Sequence, residues 1–436
     1  MRKRGTWRIF AAALALTVAA LVVLSACAPK DTGPKKLVVW SFSDELGGML
    51  DKYKALNPDV EIEFVMVPND VYQSKLKPVL QSGQGAPDVF ALEAAYIKGY
   101  VDTGFMLDLA PIASAAKDTV QYTKDAALDS RGKLMGLSWQ ATPGAYFYRR
   151  SMAKKYLGTD DPVAVQAMLS DFDKFLDVAE ELKQKSGGRA VIVSSVGDLF
   201  QVYKSGRTVP WVKDGVFGID PLMVKMMEQG KLFHDNDYEG RQAQWGEGWF
   251  AGMKGTLTDE SGAPVEVFGY FLPTWGLHYV LKANAKAADG SSDTSGDWAM
   301  IQGPMPYFWG GTWLGAFADT KQKDLALDLI RFLTTDPDFL EPWAKETGDL
   351  VSNMAVVNKI KDSYVEPFLS GQNHYAAFAD MARNISAKVL TGYDQEIEVL
   401  FQEQMNAYVN GEKPLDEALA DFKAAVASQF TELAVQ

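Results

Sequence analysis

The sequence predicts an α/β protein with two lobes, and two observations support this fold class. From Leu37 to Asp102, strand-like and helix-like patterns alternate, an order typical of a mostly parallel sheet with helices on its faces. The 410 residues that follow Ala26 exceed the size of a usual single core, which ends at about 250–300 residues. We therefore expect two lobes rather than one enlarged core.

The first segment is a leader. Four basic residues precede an apolar run of 16 residues, Ile9 to Leu24, which is shorter than the roughly 20 residues of a spanning helix and is typical of a secretory signal. The run ends in LSAC, which resembles the bacterial lipobox, and Cys27 is the only cysteine. We predict a signal peptide at 1–26, a lipid on Cys27 and a flexible tether at 27–36. An uncleaved anchor helix is the alternative.

The elements then follow in order. Asn57-Pro58 and Gly83 are helix-ending signals, and residues 60–67 alternate as a strand does. Ser170 precedes an apolar stripe that Gly187 ends. We expect strands at 36–40, 60–67 and 87–92, and helices at 45–56, 69–82, up to Asp102, after Ser170, at 321–339 and at 415–433. Residues 205–320, rich in glycine and aromatics, give no clear periodicity.

Composition and motifs exclude several functions. Without the leader, 39 basic and 56 acidic residues leave a net charge of −17, which argues against nucleic acid or an anionic membrane surface as ligand. His234, His278 and His374 are far apart, and no metalloprotease, nucleophile-elbow, P-loop or dinucleotide motif occurs. The run DNDYEG begins like a calcium loop, but Gly246 stands where its Glu is needed. We predict no cofactor, no metal and no catalytic residues.

Tryptophan is the strongest local signal. Seven of the ten tryptophans after the leader lie within residues 211–313. They are Trp211, Trp245, Trp249, Trp275, Trp298, Trp309 and Trp313. Packing explains most buried indoles, so we expect at least half of them in a core. The others are expected to form a platform on which the apolar face of a sugar ring stacks, since ligand clefts combine aromatic walls with a few polar groups.

Polar groups follow the early strands. Ser41, Asp44 and Glu45 come after the first strand, and Glu93 comes after the third. In open α/β sheets ligands bind beyond the carboxyl ends of strands, and carboxylates accept hydrogen bonds from hydroxyl groups. We expect these residues at the rim of a ligand site. For Asp44 and Glu45, a helix cap and a dipole partner are the alternative.

Five stretches resemble one family in the same order. They are KLVVWSFSDE, YQSKLKPVLQSGQGAPDVFALE, YVDTGFMLDL, DSRGKLMGLSWQATPGAYFYRRSMAKK, and DLALDLIRFLTTDPDF followed by WAKETGDLVSNMAVV. Together with the lipobox they resemble the extracellular solute-binding lipoproteins of bacterial ABC importers, in the maltose-binding-protein-like carbohydrate group (family 1). WSFSDE lacks the Asn, Gly and Lys of the maltose binders, and SWQATP lacks their acidic residue, so no particular sugar is predicted.

The resemblance implies a periplasmic-binding-protein-like fold, in which two α/β lobes are joined by three hinge crossings with the ligand cleft between them. The crossings are expected near Gln140–Gly144, Trp309–Thr312 and Gly348–Leu350. The first lobe would comprise residues 37–142 and 311–347. The second lobe would comprise residues 143–310 and 348–436.

The resemblance also implies the site. Trp275 matches the position of a stacking aromatic in the second lobe, and Trp309 rather than Trp313 is expected to face the cleft. The predicted ligand-binding residues are Ser41, Asp44, Glu45, Glu93, Trp139, Gln140, Trp211, Trp275, Trp309, Gly310, Gly311, Trp313 and Asp349.

The predicted function is capture of a carbohydrate, expected to be an oligosaccharide, outside the cell. Hinge closure would present it to the permease of an ABC transporter without catalysis. The protein would be a monomer, held at the membrane through its lipid only. The alternatives are a binding protein for another polar solute, an exported glycosidase, whose cleft also has indoles and carboxylates, and an adhesive surface lipoprotein.

Overall fold

The computed structural model describes residues 35–435. The predicted signal peptide, Cys27 and nearly all of the tether lie outside these residues. The strands are β1 (Lys35–Ser41), β2 (Val60–Met66), β3 (Val89–Glu93), β4 (Leu137–Ser138), β5 (Gly144–Arg149), β6 (Ala190–Val191), β7 (Val212–Lys213), β8 (Val216–Phe217), β9 (Glu266–Val267), β10 (Gly269–Pro273), β11 (Trp298–Ile301), β12 (Thr312–Ala316) and β13 (Ala434–Val435).

The α-helices are α1 (Glu45–Leu56), α2 (Asn69–Ser82), α3 (Lys98–Val101), α4 (Gln121–Ala126), α5 (Arg150–Met152), α6 (Pro162–Met168), α7 (Phe172–Ser186), α8 (Phe200–Ser205), α9 (Pro221–Asp235), α10 (Glu247–Lys254), α11 (Lys323–Thr335), α12 (Pro337–Thr347), α13 (Met354–Ile360), α14 (His374–Ala382), α15 (Asp394–Val409) and α16 (Leu415–Gln429). Short 3₁₀ segments occur at Ala110–Asp118, Val196–Leu199, Lys282–Asn284, Lys361–Ser363 and Pro367–Leu369, and π-helical turns at Ala153–Leu157 and Gly276–Leu281.

The first sheet has the strand order β2-β1-β3-β12-β4. Its first three strands are parallel, as predicted, while β12 runs antiparallel to both β3 and β4. Thr312 at the start of β12 therefore lies opposite Glu93 at the end of β3. One edge of this sheet collects the ends of β1, β3 and β4 and the beginning of β12.

The second sheet, β10-β5-β11, is antiparallel throughout, unlike the mostly parallel order predicted from residues 37–102. The segments that supply β10 and β11 return to β5 in the opposite direction after long helical excursions. An antiparallel neighbour needs no crossover helix. The sequence of residues 205–320, rich in aromatics, has no strand–helix alternation that would predict the direction of these strands.

Helix ends follow the local sequence. Gly83 ends α2 in the left-handed conformation, with φ 70°, a role that glycine fills without steric strain. Helix α7 begins after Asp171, not Ser170, because the Asp171 side chain accepts a hydrogen bond from the Lys174 backbone N–H at 2.9 Å.

Two clusters of buried residues form the core, and β5 contributes to both. Ala145 and Phe147 point into the first cluster, while Tyr146 and Tyr148 point into the second, because successive strand side chains face opposite sides. The first cluster also includes Trp298 of β11. The two clusters thus meet across β5.

Within residues 35–435, no helix combines the length and the apolar character that crossing a bilayer would require.

Candidate functional site

A cavity of about 460 Å³ opens at the edge of the first sheet described above. Residues from the far ends of the chain meet there. Its wall comprises Phe42, Ser43, Glu45, Asn69, Glu93, Ala94, Ala95, Lys98, Gln140, Gln201, Lys204, Ser205, Trp275, Tyr279, Phe308, Trp309, Gly310, Gly311, Thr312, Asp349, Ser386, Val389, Leu390, Thr391, Asp394 and Glu398.

The three segments predicted as crossings lie side by side beneath this cavity. The Ala141 N–H donates to the Leu350 carbonyl at 2.7 Å, and the Trp309 N–H donates to the Thr142 carbonyl at 3.1 Å. The Thr142 hydroxyl adds a hydrogen bond of 2.8 Å to the Gly310 carbonyl. Backbone hydrogen bonds therefore hold the cavity floor together across long sequence separations.

The glycine pair in this floor is required by its geometry. Gly310 has φ 72° and Gly311 has φ 111°, conformations that L side chains rarely adopt. A Cβ on Gly310 would lie 2.9 Å from the Trp275 indole nitrogen. The backbone can approach the indole only because no side chain intervenes.

Trp275 and Trp309 form the aromatic wall. The Trp275 indole N–H donates to the Trp309 carbonyl at 3.0 Å, which fixes the ring, and the two rings meet edge-on at 5.5 Å between centroids. Tyr279, one turn after Trp275, is 60% exposed and reaches the cavity mouth. Phe42 completes the aromatic surface from the first strand's end.

Trp245 extends this wall outside the cavity. Its ring lies nearly parallel to Trp275, at 6.3 Å and 14°, yet 45% of the residue is exposed. Its φ of 69° is unusual for a bulky residue. The buried Asp198 carboxylate holds the segment by accepting from Trp249 Nε1 and Gln244 Nε2, each at 3.0 Å.

Two carboxyl groups meet in the cavity wall. Glu45 opens α1, Asp349 lies in the third crossing, and both line the same cavity, close enough for the two carboxyls to influence each other's pKa. Burial and the Asp349 carboxylate raise the pKa of Glu45 to about 9, and burial raises the pKa of Asp349 to about 6. The pair therefore holds a shared proton near neutral pH.

Glu93 is a third carboxyl in this wall. Its Oε2 accepts from the Ala95 backbone N–H at 2.7 Å, and burial raises the pKa of the carboxyl above its ordinary value. Because Glu93 pairs with Thr312 across β3 and β12, it is held beside the glycine floor.

The remaining charged wall residues are paired. Lys204 Nζ lies 2.8 Å from Glu398, and Arg207, just behind the wall, lies 2.6 Å from Asp394. Lys98 Nζ donates to the Asp125 and Leu128 carbonyls, each at 2.9 Å. These cations are committed to protein partners.

Eight of the predicted ligand-binding residues are brought together in the cavity wall. They are Glu45, Glu93, Gln140, Trp275, Trp309, Gly310, Gly311 and Asp349. They come from distant parts of the chain, and the hydrogen-bonded crossings unite them. The early-strand ends and the resemblance thus pointed to residues that the fold places in one cavity, and their contact with a ligand stays a prediction.

Two predicted tryptophans are core residues, which corrects their assignment. Trp211 is 1% exposed and stacks on Phe217 at 6.2 Å, far into the second cluster. Trp313 is fully buried, and its indole N–H donates to the Thr123 carbonyl at 2.7 Å. As a β12 residue two positions after Gly311, it faces the first core.

Three further predicted residues do not line the cavity. Trp139 is fully buried, with its indole N–H facing Glu45 from behind without a completed hydrogen bond. The buried Ser41 hydroxyl turns back to the Ser43 carbonyl at 2.8 Å. Asp44 precedes α1 with its side chain exposed and makes no capping hydrogen bond. The expectation that these three touch ligand is corrected accordingly.

Four of the seven clustered tryptophans are buried in the core, which confirms the prediction that at least half of them are core residues. The four are Trp211, Trp249, Trp298 and Trp313. Sequence reasoning missed the wall between Ser386 and Glu398 together with Gln201 and Lys204. No motif marks those residues, which reach the cavity from α8, from the loop before α15 and from the first turns of α15. For Trp245, membership of the tryptophan cluster was the available signal.

Comparison with known proteins gives one family and a consistent set of folds. A family model described as bacterial extracellular solute-binding protein matches residues 48–366. No curated protein matches. A solved extracellular solute-binding protein of family 1 is 19% identical, with a TM-score of 0.78, over 89% of this chain and 98% of its own.

Two solved sugar-binding proteins are similar in the same way. The sugar-binding protein MalE of Xanthomonas citri is 17% identical, with a TM-score of 0.71, covering 90% of this chain and 96% of its own. The galacto-N-biose/lacto-N-biose I-binding protein of Bifidobacterium longum is 16% identical, with a TM-score of 0.71, covering 93% and 100%.

Proposed function

Because the chain belongs to the bacterial extracellular solute-binding proteins, we propose that its solute is a carbohydrate, delivered to the permease of an ABC transporter without chemical change. The observation that carries this proposal is the wall of Trp275 and Trp309 beside buried carboxyls in one cavity of about 460 Å³. Among carbohydrates, we propose an oligosaccharide as the ligand.

The chain has the periplasmic-binding-protein-like fold, as predicted, since solved solute-binding proteins share its architecture over about nine tenths of its length. In this fold we assign residues 37–142 and 311–347 to the first lobe and 143–310 and 348–436 to the second. The three hydrogen-bonded segments under the cavity would then be the hinge.

The chemistry of the cavity supports a sugar. Exposed faces of Trp275, Trp309 and Tyr279 offer flat apolar surface, which the C–H face of a pyranose ring covers. Glu93 and Gln140 offer polar atoms at its edge, so ring hydroxyls find partners while the ring stays out of water. The Bifidobacterium longum protein, named for the disaccharides it binds, supports the same ligand class.

Binding without catalysis is favoured by the carboxyl geometry. Glycosidases hold two carboxyls about 5–9.5 Å apart, on opposite sides of the bond they cleave. Several wall carboxyls are instead engaged by the protein itself. Glu93 accepts a hydrogen bond from the Ala95 backbone N–H, and Glu398 and Asp394 are held in ion pairs.

We propose further that the protein acts outside the cytoplasmic membrane as a monomer. The leader at 1–26 would be removed, a lipid on Cys27 would anchor the chain, and residues 27–36 would serve as its tether. Mass spectrometry of the membrane-extracted protein should find a diacylated N-terminal cysteine. A Cys27→Ser chain should instead be released into the medium or the periplasm.

The ligand class is tested by titrating a panel of mono- and oligosaccharides while recording tryptophan emission and the melting temperature. We expect at least one sugar to shift both. Trp275→Ala and Trp309→Ala should each weaken its binding about tenfold or more, whereas Trp343→Phe, between helices away from the cavity, should not. If no sugar shifts either signal, the carbohydrate assignment is wrong; cleaved product in the same tubes would instead indicate an enzyme.

A further inference from the structure

Among residues 35–435, no cation forms an ion pair with Glu45 or Asp349, two carboxyls of the cavity wall. Asp349 is only 3% exposed and lines the same cavity as Glu45. Glu45 Oε1 is buried without a hydrogen-bond partner. Buried carboxyls of this kind are normally paired, because an unpaired buried charge is strongly unfavourable.

The cations nearby do not supply the missing charge. Lys204 and Arg207 are paired with Glu398 and Asp394, and Lys98 is held by backbone carbonyls. Lys282, three residues after Tyr279, forms an ion pair with Glu366, with 3.0 Å between Nζ and Oε2. Among residues 35–435, no group of three or more candidate ligands is placed to hold a metal ion.

The surroundings suit an organic cation. The exposed Tyr279 ring lines the same cavity as Glu45 and Asp349. Partial burial raises the pKa of Tyr279, and the two carboxylate charges raise it further. Trp275 lies one helical turn earlier on the same face. Aromatic faces beside carboxylates attract ammonium groups through both the ring quadrupole and direct charge.

We propose that the solute is an amino sugar whose protonated amine seats against Glu45 and Asp349, with its ring on Trp275 and Trp309. This inference rests on the proposed carbohydrate function and narrows it to cationic sugars. The bound ammonium supplies the charge that the wall lacks, and both carboxyls then act as acceptors. A neutral sugar would leave one proton shared between them.

Substitution of Glu45 by Gln separates these cases. Gln has the shape of a protonated Glu, so Glu45→Gln preserves a site that binds a neutral sugar and damages one that binds an ammonium. Glu61→Gln removes the same charge from the exposed surface of β2 and is the matched control.

The experiment compares three related disaccharides by calorimetry on the purified protein: deacetylated chitobiose, N,N′-diacetylchitobiose and cellobiose. Galactosamine, N-acetylgalactosamine and galactose form a second series, and spermidine tests an amine without a sugar ring. We expect an amine-bearing sugar to bind at least about tenfold more tightly than its acetylated and neutral counterparts. Glu45→Gln should abolish that preference, while Glu61→Gln retains it.

The other outcomes are distinguishable. If acetylated or neutral sugars bind as tightly and Glu45→Gln leaves them unaffected, the amine inference is overturned and the carbohydrate function stands. Binding of spermidine alone, or of nothing in the panel, overturns both. The melting temperature of the unliganded Glu45→Gln protein verifies that the variant is folded in every case.

Discussion

The shared proton of Glu45 and Asp349 makes a prediction at the scale of single residues. Both pKa values are raised in the folded protein, so the folded state keeps a proton that the unfolded chain releases near the ordinary value of 4.5. In the unliganded protein, this pair therefore contributes its full stability below pH 4.5. That contribution is lost as the pH rises through about 9, the pKa of Glu45 in the folded protein.

Across this pH range the pair should change the free energy of unfolding by on the order of a few kcal/mol. Glu45→Gln should remove most of that change. Melting temperatures measured across that pH window for the unliganded wild type, Glu45→Gln and Glu61→Gln test it. The Glu45→Gln curve should be flatter than the other two. If the melting temperatures of all three proteins change with pH in the same way, ionisation of the pair does not destabilise the folded protein.

Gly310 gives a second residue-scale prediction. A Cβ there meets the Trp275 indole at 2.9 Å and adds strain at φ 72°. Gly310→Ala should lower the free energy of unfolding by about 1–3 kcal/mol and weaken sugar binding. Gly104→Ala is the control, since φ is 79° there but the space is empty. Chemical denaturation measures the free energy of unfolding, and ligand titration measures the affinity for sugar. If Gly310→Ala and Gly104→Ala lose equal amounts of both, the close approach to the Trp275 indole contributes to neither.

At the scale of elements, Asp198 positions the segment that carries Trp245. Asp198→Ala removes the acceptor of the buried Trp249 indole N–H, a loss of about 1–3 kcal/mol. It also frees Gln244, so the Trp245 ring should leave Trp275 and the tryptophan emission should shift to longer wavelength. Asp198→Asn keeps an acceptor oxygen and should retain most of the stability. Unchanged emission in the Ala variant would show that Trp245 is held by other contacts.

How far the elements could be predicted depended on local signals. Helix α1 has the predicted bounds because Asn57-Pro58 stops it, and α2 ends at the predicted Gly83 because glycine accepts φ 70°. The direction of β10 and β11 was not predictable, because it is set by pairing with β5 rather than by any neighbour in sequence. The wall between Ser386 and Glu398 was missed for the same reason: it reaches the cavity only through tertiary packing.

The candidate site shows the same division among single residues. Glu45, Glu93 and Asp349 were predicted because they follow strands or stand in a predicted crossing. Trp309 and Trp313 differ by four positions, and only the strand register of β12 decides that Trp313 packs inward. Composition alone could not separate them.

At the scale of the whole molecule, the proposed lobes meet again across the cavity from the hinge. Gly392 packs on Gly99, and a Cβ at Gly392 would lie 3.3 Å from the Lys98 carbonyl oxygen. A large side chain at Gly392 should hold this contact apart and so oppose closure over the ligand.

Gly392→Leu is therefore expected to weaken sugar binding about tenfold with little change in melting temperature, because the position is on an exposed loop. Gly218→Leu, in open space, is the matched control. Calorimetry gives the affinity, and small-angle scattering should show a larger radius of gyration for Gly392→Leu. Unaltered affinity and radius would exclude closure at this contact.

The position of β12 between β3 and β4 also governs how the chain assembles. Residues 35–138 supply four strands of the first sheet, but the position between β3 and β4 is filled only when residues 312–316 arrive from far along the sequence. Pairing at such a separation is slow, since a long loop must close first. Until then β3 and β4 expose unpaired edges, the kind of surface on which other chains aggregate. A nascent chain that stops short of Thr312 would thus need a chaperone, however stable the finished protein is.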